Sequence, residues 1–211
     1  VVGAEAGKGN YSSNIHKEYY RLYGAHNTVI VNNASRGEGD WIGLGQETVQ
    51  LVSAEPTPRS KAVSPECSFV TTSFNNLYGT EGKMAKQQRT MALIRTTAST
   101  GYYIDVYRSR AEGDDQFHDY LYHNLGDEMN LSGDFQRQPA PHWYGSDIGD
   151  MYRQPGTHWL KEKYSTGKTS TAVKGTWKMN FKSGAKRTGI WFPSGIEREY
   201  LSVMAPATLE S

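Results

Sequence analysis

The segment Ala25-His26-Asn27-Thr28-Val29-Ile30-Val31-Asn32-Asn33 shows how this chain is built. Threonine, valine and isoleucine favour a half-buried pleated surface, so residues 28–31 are predicted to form a strand. His26 then lies at the entrance of that strand, where a side chain is held rigidly and can still face a cleft. His26 is therefore a candidate binding residue, and the alternative is a hydrogen-bonded histidine that caps a strand.

The rest of the chain repeats an alternation of strands and turns. Strands are predicted at 48–54, 69–78, 85–97, 101–110, 116–124, 159–165, 170–181, 187–192 and 198–205, with turns at 98–100, 167–168, 183–184 and 193–195. Only residues 11–24 carry a weak signal for a short helix. This order favours antiparallel sheets packed face to face, so we predict an all-β, antiparallel β-sandwich of roughly ten or more strands. We expect residues 1–211 to form a single domain.

Three segments interrupt the rhythm of strands. Residues 34–46 are rich in glycine and are predicted to form a loop that contains Trp41. Residues 126–156 lack any clean period, and such long stretches usually carry function or mobility. Within them, residues 141–145 offer aromatic side chains that could stack on a sugar. The tryptophans of the predicted strands, Trp159, Trp177 and Trp191, are expected to fill the core.

Composition excludes several classes of protein. The 23 Lys and Arg residues nearly balance the 22 Asp and Glu residues, for a net charge of +1, which is unlike a nucleic-acid binder. Mean hydropathy is −0.68, and no apolar run approaches the ~20 residues of a membrane span. A single cysteine, Cys67, excludes an intramolecular disulfide framework. The chain begins at Val1 without Met and without a signal segment, which is typical of a processed product or of a fragment of a longer protein, and we expect a fragment.

The residues before His26 suit a polyhydroxylated ligand better than an apolar one. Between residues 11 and 23 the hydrogen-bonding and aromatic side chains are Tyr11, Ser12, Ser13, Asn14, His16, Tyr19, Tyr20, Arg21 and Tyr23. His16 and Arg21 are candidate substrate-binding residues, since an arginine presents a planar fork of donors to a sugar carboxylate. The alternative is that both simply face solvent.

Three stretches resemble the β-sandwich region of heparinase II/III-like polysaccharide lyases. They are YSSNIHKEYYRLYGAHNTVIVNN at 11–33, RTMALIRTTASTGYYIDVYRSR at 89–110 and FHDYLYHNLGD at 117–127. The resemblance implies β-elimination on a uronic-acid-containing polysaccharide, with glycosaminoglycan and alginate as the leading substrates. It also implies a bacterial protein of the periplasm or a secreted one.

The same resemblance implies roles for two residues. His26 falls on the family's zinc-ligand histidine, and Tyr11 is the nearest match to its catalytic tyrosine, with Tyr19 and Tyr20 as alternatives. The family's His-Xaa-His pair and metal-binding aspartate have no counterpart before His26. We therefore expect the remaining ligands, and a helical toroid that supplies other catalytic residues, to lie in the rest of a parent chain. The fragment alone is expected to be inactive.

Other residues are expected to have structural roles. His118 and His123 are an odd number of residues apart on one predicted strand, so they face opposite sides and cannot bind one metal there. Asp105 is expected to pair with Arg95 or Arg108. The competing function is a non-catalytic carbohydrate-binding module, for which a sandwich with aromatic side chains is enough, or a purely structural β-sandwich module.

Overall fold

The computed structural model of the protein describes residues 3–4, 10–31, 49–78, 83–113, 116–138 and 159–206. The described part is 55% strand and 7% helix, and its strand pairings are antiparallel. The all-β antiparallel sandwich class predicted from the sequence is therefore confirmed. The loop at 34–46 with Trp41, and the aromatic loop at 141–145, lie outside the described residues.

Twelve strands lie within the described residues. Their bounds are β1 Val29–Val31, β2 Gln50–Glu55, β3 Cys67–Tyr78, β4 Lys83–Arg95, β5 Gly101–Ala111, β6 His118–Tyr120, β7 Glu128–Leu131, β8 Gln136–Arg137, β9 Lys161–Thr169, β10 Val173–Phe181, β11 Gly184–Phe192 and β12 Arg198–Met204. They group into two compact units, here called the meander unit (Val29–Tyr120) and the terminal unit (Val1–Thr28 with Leu121–Ser211). The single domain expected for residues 1–211 stays a prediction.

The meander unit is built on one long antiparallel sheet with the strand order β2-β3-β4-β5. The predicted hairpin of β4 and β5 is confirmed, with partners running from Ala85↔Ala111 to Arg95↔Gly101. The short strands β1 and β6 form a separate pair. A small apolar cluster of Val29, Val31, Ala85 and Ala111 is the buried core of the unit, and Tyr107 and Tyr120 pack against it.

The terminal unit contains two three-stranded sheets, with orders β11-β10-β7 and β12-β9-β8. The rings of Phe192 on β11 and Tyr200 on β12 lie 5.4 Å apart and join the two sheets. Its buried cluster comprises Tyr19, Tyr20, Ala25 and Leu160, with Ile15, Trp159 and Val203 against it. The core thus depends on aromatic side chains, as the modest apolar content leads one to expect.

Several local predictions were wrong. The aperiodic stretch 126–156 contains strands β7 and β8, which pair with β10 and β9. The strand predicted at 116–124 is reduced to β6. Gly167 belongs to β9 instead of a turn, and its φ of +61° accompanies a register shift against β12. Trp191 is 61% exposed, so it does not fill the core.

Candidate functional site

His26 lies where the sequence places it, just ahead of β1. Residues Tyr23–Ala25 form a 3₁₀ turn, and the His26 amide donates to the Tyr23 carbonyl oxygen at 3.1 Å. His26 then adopts extended backbone, with φ −122° and ψ 155°, and its side chain is half-buried. The turn therefore fixes the backbone of His26 and leaves part of its ring accessible.

Asn27 holds the backbone beside His26. Its Nδ2 donates to the Ala4 carbonyl oxygen at 2.8 Å, and its Oδ1 accepts from the His123 amide at 2.6 Å. The Ala4 amide in turn donates to the His123 carbonyl oxygen at 2.9 Å. One amide side chain thus satisfies two backbone groups from distant parts of the chain, which rigidifies the peptide that carries His26.

The described residues do not by themselves fit a complete zinc site. Catalytic zinc takes about three protein ligands from imidazole, thiolate or carboxylate groups. Among the residues that the structure describes, no three His, Cys, Asp or Glu side chains converge closely enough to hold a metal ion. His26 as a zinc ligand stays a prediction, and it requires donors from outside the described ranges.

Tyr11 and His16 are brought together. Their ring centroids lie 4.5 Å apart at an interplanar angle of 46°. Tyr11 is 65% exposed, whereas His16 is only 6% exposed, so His16 does not simply face solvent. An accessible phenol therefore lies against a buried imidazole.

A polar turn holds the backbone between these two rings. Asn10 Oδ1 accepts from the Ser12 amide at 3.0 Å and from Ser12 Oγ at 2.8 Å. Ser13 Oγ donates to the Asn10 carbonyl oxygen at 2.6 Å and accepts from the His16 amide at 3.3 Å. Short side chains that bond the backbone in this way favour turns and helix starts, which explains why the helical turn follows here.

The helical turn itself is a π-helix over His16–Tyr20, closed by the Arg21 amide donating to the His16 carbonyl oxygen at 3.2 Å. Tyr19 and Tyr20 are 0% and 3% exposed and belong to the core. Of the three tyrosines weighed for catalysis, only Tyr11 is open to solvent. Arg21 is half-buried at the end of the turn.

Trp159 anchors the same turn from a distant part of the chain. Its Nε1 donates to Glu18 Oε2 at 3.3 Å, and its ring packs against the buried cluster of the terminal unit. The segment that carries Tyr11, His16 and Arg21 is therefore tied to a packed core and not left as a loop. This favours a fixed arrangement of the candidate side chains.

A second polar cluster, in the meander unit, is built around Asp105, for which the sequence predicted an arginine partner. Asp105 on β5 binds Arg89 on β4, with Nε–Oδ1 at 3.0 Å and Nη2–Oδ2 at 2.6 Å. Tyr120 Oη also donates to Asp105 Oδ2 at 2.8 Å. The hydrogen bond from the Arg89 guanidinium to Asp105 raises the pKa of Arg89, against the opposing effect of burial.

The partners predicted for Asp105, Arg95 and Arg108, were wrong. In the observed register Arg89 faces Tyr107 and Met91 faces Asp105, so Arg89 and Asp105 are diagonal neighbours on one face. Arg108 is three positions from Asp105 and lies on the other face. Arg95 pairs with Gly101 and is four positions along, beyond the reach of the carboxylate. The pairing of Asp105 with Arg89 follows from the register of the β4–β5 hairpin, and that register depends on where its turn lies.

His118 on β6 has partners at both ring nitrogens. Nδ1 lies 2.9 Å from Ser109 Oγ, and Nε2 lies 3.0 Å from Gln116 Oε1. Gln116 Nε2 donates to the carbonyl oxygens of Ala111 and Gly113, so its Oε1 is the acceptor for the imidazole. Burial lowers the pKa of His118, with a smaller opposing effect of Asp119. Both ring nitrogens of His118 are therefore engaged within the protein, which favours the structural role predicted for it.

Comparison with known proteins found a relative along nearly the whole chain. The chain is 34% identical over 205 residues to an endo-acting ulvan lyase from Formosa agariphila, in an alignment that covers 93% of this chain and 24% of the relative. The chain thus spans about a quarter of the length of that protein. No family model matches the chain, and no solved structure matches it. None of the described helical segments is long and apolar enough to cross a membrane.

Proposed function

We propose that this chain is the β-sheet part of a polysaccharide lyase that cleaves an acidic, uronic-acid-containing polysaccharide by β-elimination. The observation that carries the proposal is the similarity to an ulvan lyase along nearly the whole chain, at 34% identity. The three stretches that resemble heparinase II/III-like lyases, in the same order along the chain, support the same reaction. Ulvan joins glycosaminoglycan and alginate as a candidate substrate.

In this proposal Tyr11 transfers protons during the elimination. A base removes the proton beside the uronate carboxylate, the electron pair forms a carbon–carbon double bond, and the bond to the 4-linked sugar oxygen breaks. That leaving oxygen takes up a proton, and a phenol can serve as base and then as acid. The 65% exposure of Tyr11 and its contact with His16 support this role.

The other candidate residues bind instead of reacting. Arg21, half-buried at the end of the π-helical turn, is proposed to contact a sugar carboxylate through its guanidinium fork. The His16 ring contacts the Tyr11 ring, and His16 is proposed to line the substrate site. His26 is proposed to supply one zinc ligand, with the others coming from outside the described residues and from the rest of a parent chain that includes a helical toroid.

An enzyme encounters acidic polysaccharides outside the cytoplasm, so we propose that the protein is periplasmic or secreted. The test of the reaction is formation of an unsaturated product that absorbs in the near ultraviolet. The chain, and the longer gene product that carries it, are incubated with ulvan, glycosaminoglycan and alginate. We expect product from the longer protein alone. Absence of product on the whole panel would contradict the proposal, and turnover by the chain alone would contradict the divided site.

A non-catalytic carbohydrate-binding module is the second candidate, favoured by exposed rings such as Trp191, Tyr102 and Tyr103, which are 61%, 51% and 53% exposed. The variant His26→Ala separates the two functions, with His118→Ala, at a half-buried histidine of the meander unit, as the control. Loss of bound metal and of turnover in the longer protein for His26→Ala alone supports the lyase. Undiminished polysaccharide binding by His26→Ala, in a protein that yields no unsaturated product, supports the module.

A further inference from the structure

One face of the meander sheet carries a basic patch that the proposed reaction does not use. In the register of the sheet Ser73 on β3 faces Gln88 on β4, and Gln88 faces Arg108 on β5. Two positions along, Asn75 faces Lys86, and Lys86 faces Arg110. Residues two apart on a strand share a face, so these side chains lie together. The basic patch comprises Ser73, Asn75, Lys86, Gln88, Arg108 and Arg110.

The three cations of the basic patch are not neutralised within the described part of the chain. Lys86, Arg108 and Arg110 are exposed, and the ion pairs found among the described residues join Arg89 to Asp105 and Lys178 to Glu128. Arg89 lies on the opposite face of the same sheet, where Asp105 compensates its charge. The two faces therefore differ in whether their positive charge is compensated. The basic patch concentrates positive charge, which the net charge of +1 for the whole chain does not reveal.

The shape of the basic patch suits an extended ligand. Its residues line an open depression of about 400 Å³, together with Phe74, Gln87 and Ser109 between them. Arg108 and Arg110 are two residues apart, which places them ~7 Å apart along the strand, and Lys86 lies ~5 Å across from Arg110. Charges at this spacing can contact successive anionic groups of one polymer, while the amides and hydroxyl among them can bond sugar hydroxyls.

We infer that the basic patch is a binding surface for the acidic polysaccharide, with Arg108 and Arg110 contacting carboxylate or sulfate groups and Lys86 adding a third charge. The choice of a polysaccharide rests on the proposed function, whereas the preference for a polyanion rests on charge alone. A single-stranded nucleic acid fits less well, because such ligands also require aromatic side chains on which bases stack. The six residues that define the basic patch offer amide, hydroxyl and cationic groups instead.

The experiment measures the affinity of the full 211-residue chain for ulvan, heparin and alginate by titration calorimetry, with neutral dextran and single-stranded DNA as comparisons. The test variant combines Lys86→Gln, Arg108→Gln and Arg110→Gln. The control variant, Lys61→Gln with Arg95→Gln and Lys182→Gln, removes the same charge from exposed positions elsewhere. Circular dichroism establishes that each variant is folded.

We expect the test variant to bind an acidic polysaccharide at least about tenfold more weakly, since each lost cation contact weakens binding by a factor of roughly three. The control variant should bind as the unaltered chain does, and the single variant Arg108→Lys should retain most of the affinity, because the charge remains. Binding should weaken with added salt and be absent for dextran. If the test variant fails to fold, the affinities of the single variants Arg108→Gln and Arg110→Gln test the inference, and each should be lower than that of the unaltered chain.

Three results would overturn the inference: equal affinity of the test variant and the unaltered chain, equal losses in test and control variants, or tighter binding of DNA than of any polysaccharide. Failure of the proposed lyase function is a separate outcome. It appears as absence of unsaturated product from the longer protein even though the chain binds polysaccharide through the basic patch. Conversely, if the longer protein forms unsaturated product and the test variant binds polysaccharide as tightly as the unaltered chain, the lyase proposal stands and the inference about the basic patch is wrong.

Discussion

At the scale of single residues, Tyr11 combines accessibility with a fixed neighbour. Its ring is 65% exposed and lies 4.5 Å from the buried ring of His16, while Tyr19 and Tyr20 belong to the core. A phenol that transfers protons must reach the substrate, so the burial of Tyr19 and Tyr20 favours Tyr11 over these two alternatives. The distinction between neighbouring tyrosines decides which one a mutational study should change.

In the proposed lyase, replacing Tyr11 with phenylalanine should lower turnover about 100-fold or more, because the hydroxyl that is proposed to transfer protons is lost. The thermal midpoint should not change, since Tyr11 is mostly exposed. The measurement is the rate of near-ultraviolet product formation on the polysaccharide that the unaltered protein cleaves. Tyr102→Phe, at a similarly exposed tyrosine of β5, is the control and should leave the rate unchanged. An undiminished rate for Tyr11→Phe would remove this residue from the mechanism.

Asp105 should contribute measurably to stability. It accepts two hydrogen bonds from Arg89 and one from Tyr120, and the side chains of Asp105 and Arg89 are each 22% exposed. Asp105→Asn should therefore lower the free energy of unfolding by about 1–2 kcal/mol, measured by urea denaturation. Glu128→Gln is the matched control: its partner is Lys178 and it is 51% exposed, so its cost should be below about 0.5 kcal/mol. Equal costs for the two variants would contradict this view.

His118 should make stability depend on pH. Burial lowers the pKa of the folded-state imidazole below the ordinary value of 6.5, so the unfolded chain binds a proton more readily. The stabilisation is present above pH 6.5 and is lost as the pH falls through that value toward the lower folded pKa. Thermal midpoints of the unaltered chain and of His118→Gln, measured from pH 7.5 to pH 5, should show a smaller fall with acidification for the variant. Parallel curves would refute the role of this histidine.

At the scale of elements, pairing between distant strands decides what local patterns leave open. Strands β7 and β8 lie in a stretch without a period, yet β10 and β9 supply them with partners. Gly175 on β10 shows how close this packing is. A Cβ atom added there would lie 3.1 Å from Ile190 Cγ2 and 3.2 Å from Leu131 Cδ2. A neighbour would have to shift to accept even one methyl group.

Gly175→Ala should accordingly lower the free energy of unfolding by about 1–3 kcal/mol. Gly189, on the adjacent strand β11, is the control, since the nearest atom to its added Cβ is a backbone oxygen at 3.8 Å. Gly189→Ala should be neutral or slightly stabilising, because alanine restricts the unfolded chain. Urea denaturation of both variants measures the difference. If Gly189→Ala lowered the free energy of unfolding as much as Gly175→Ala does, the cost would come from replacing glycine in a strand and not from the limited space around Gly175.

At the scale of the whole molecule, the described chain divides into two compact units, and only the meander unit is continuous in sequence. Its first and last residues, Val29 and Tyr120, are paired partners in β1 and β6, so the ends of the unit lie side by side. Such a unit can be excised without cutting its own strands. The terminal unit draws on two separate segments and lacks this property.

Residues 29–120 expressed alone should therefore keep the β2–β5 sheet. We expect a β-rich far-ultraviolet circular dichroism spectrum and a cooperative thermal transition, because the cluster of Val29, Val31, Ala85 and Ala111 lies entirely within this segment. A segment of the same length at 70–161 is the control. It cuts β3 and omits β1, so it should be unfolded. An unfolded 29–120 segment would show that the meander unit depends on the remaining chain.

The sequence by itself determined the all-β class, the long hairpin of β4 and β5 and the position of His26 ahead of β1, because alternation, β-branched residues and turn residues are local signals. It also placed Tyr11 and His16 in one candidate segment. Only the tertiary structure decided that Tyr11 is exposed while Tyr19 is buried, that Asp105 binds Arg89, and that Lys86, Arg108 and Arg110 share one face. Exposure depends on packing between segments that are distant in sequence. The neighbours across β4 and β5 depend on the register that the turn between them sets, with Arg95 opposite Gly101. Alternation predicts the two strands but does not fix that register.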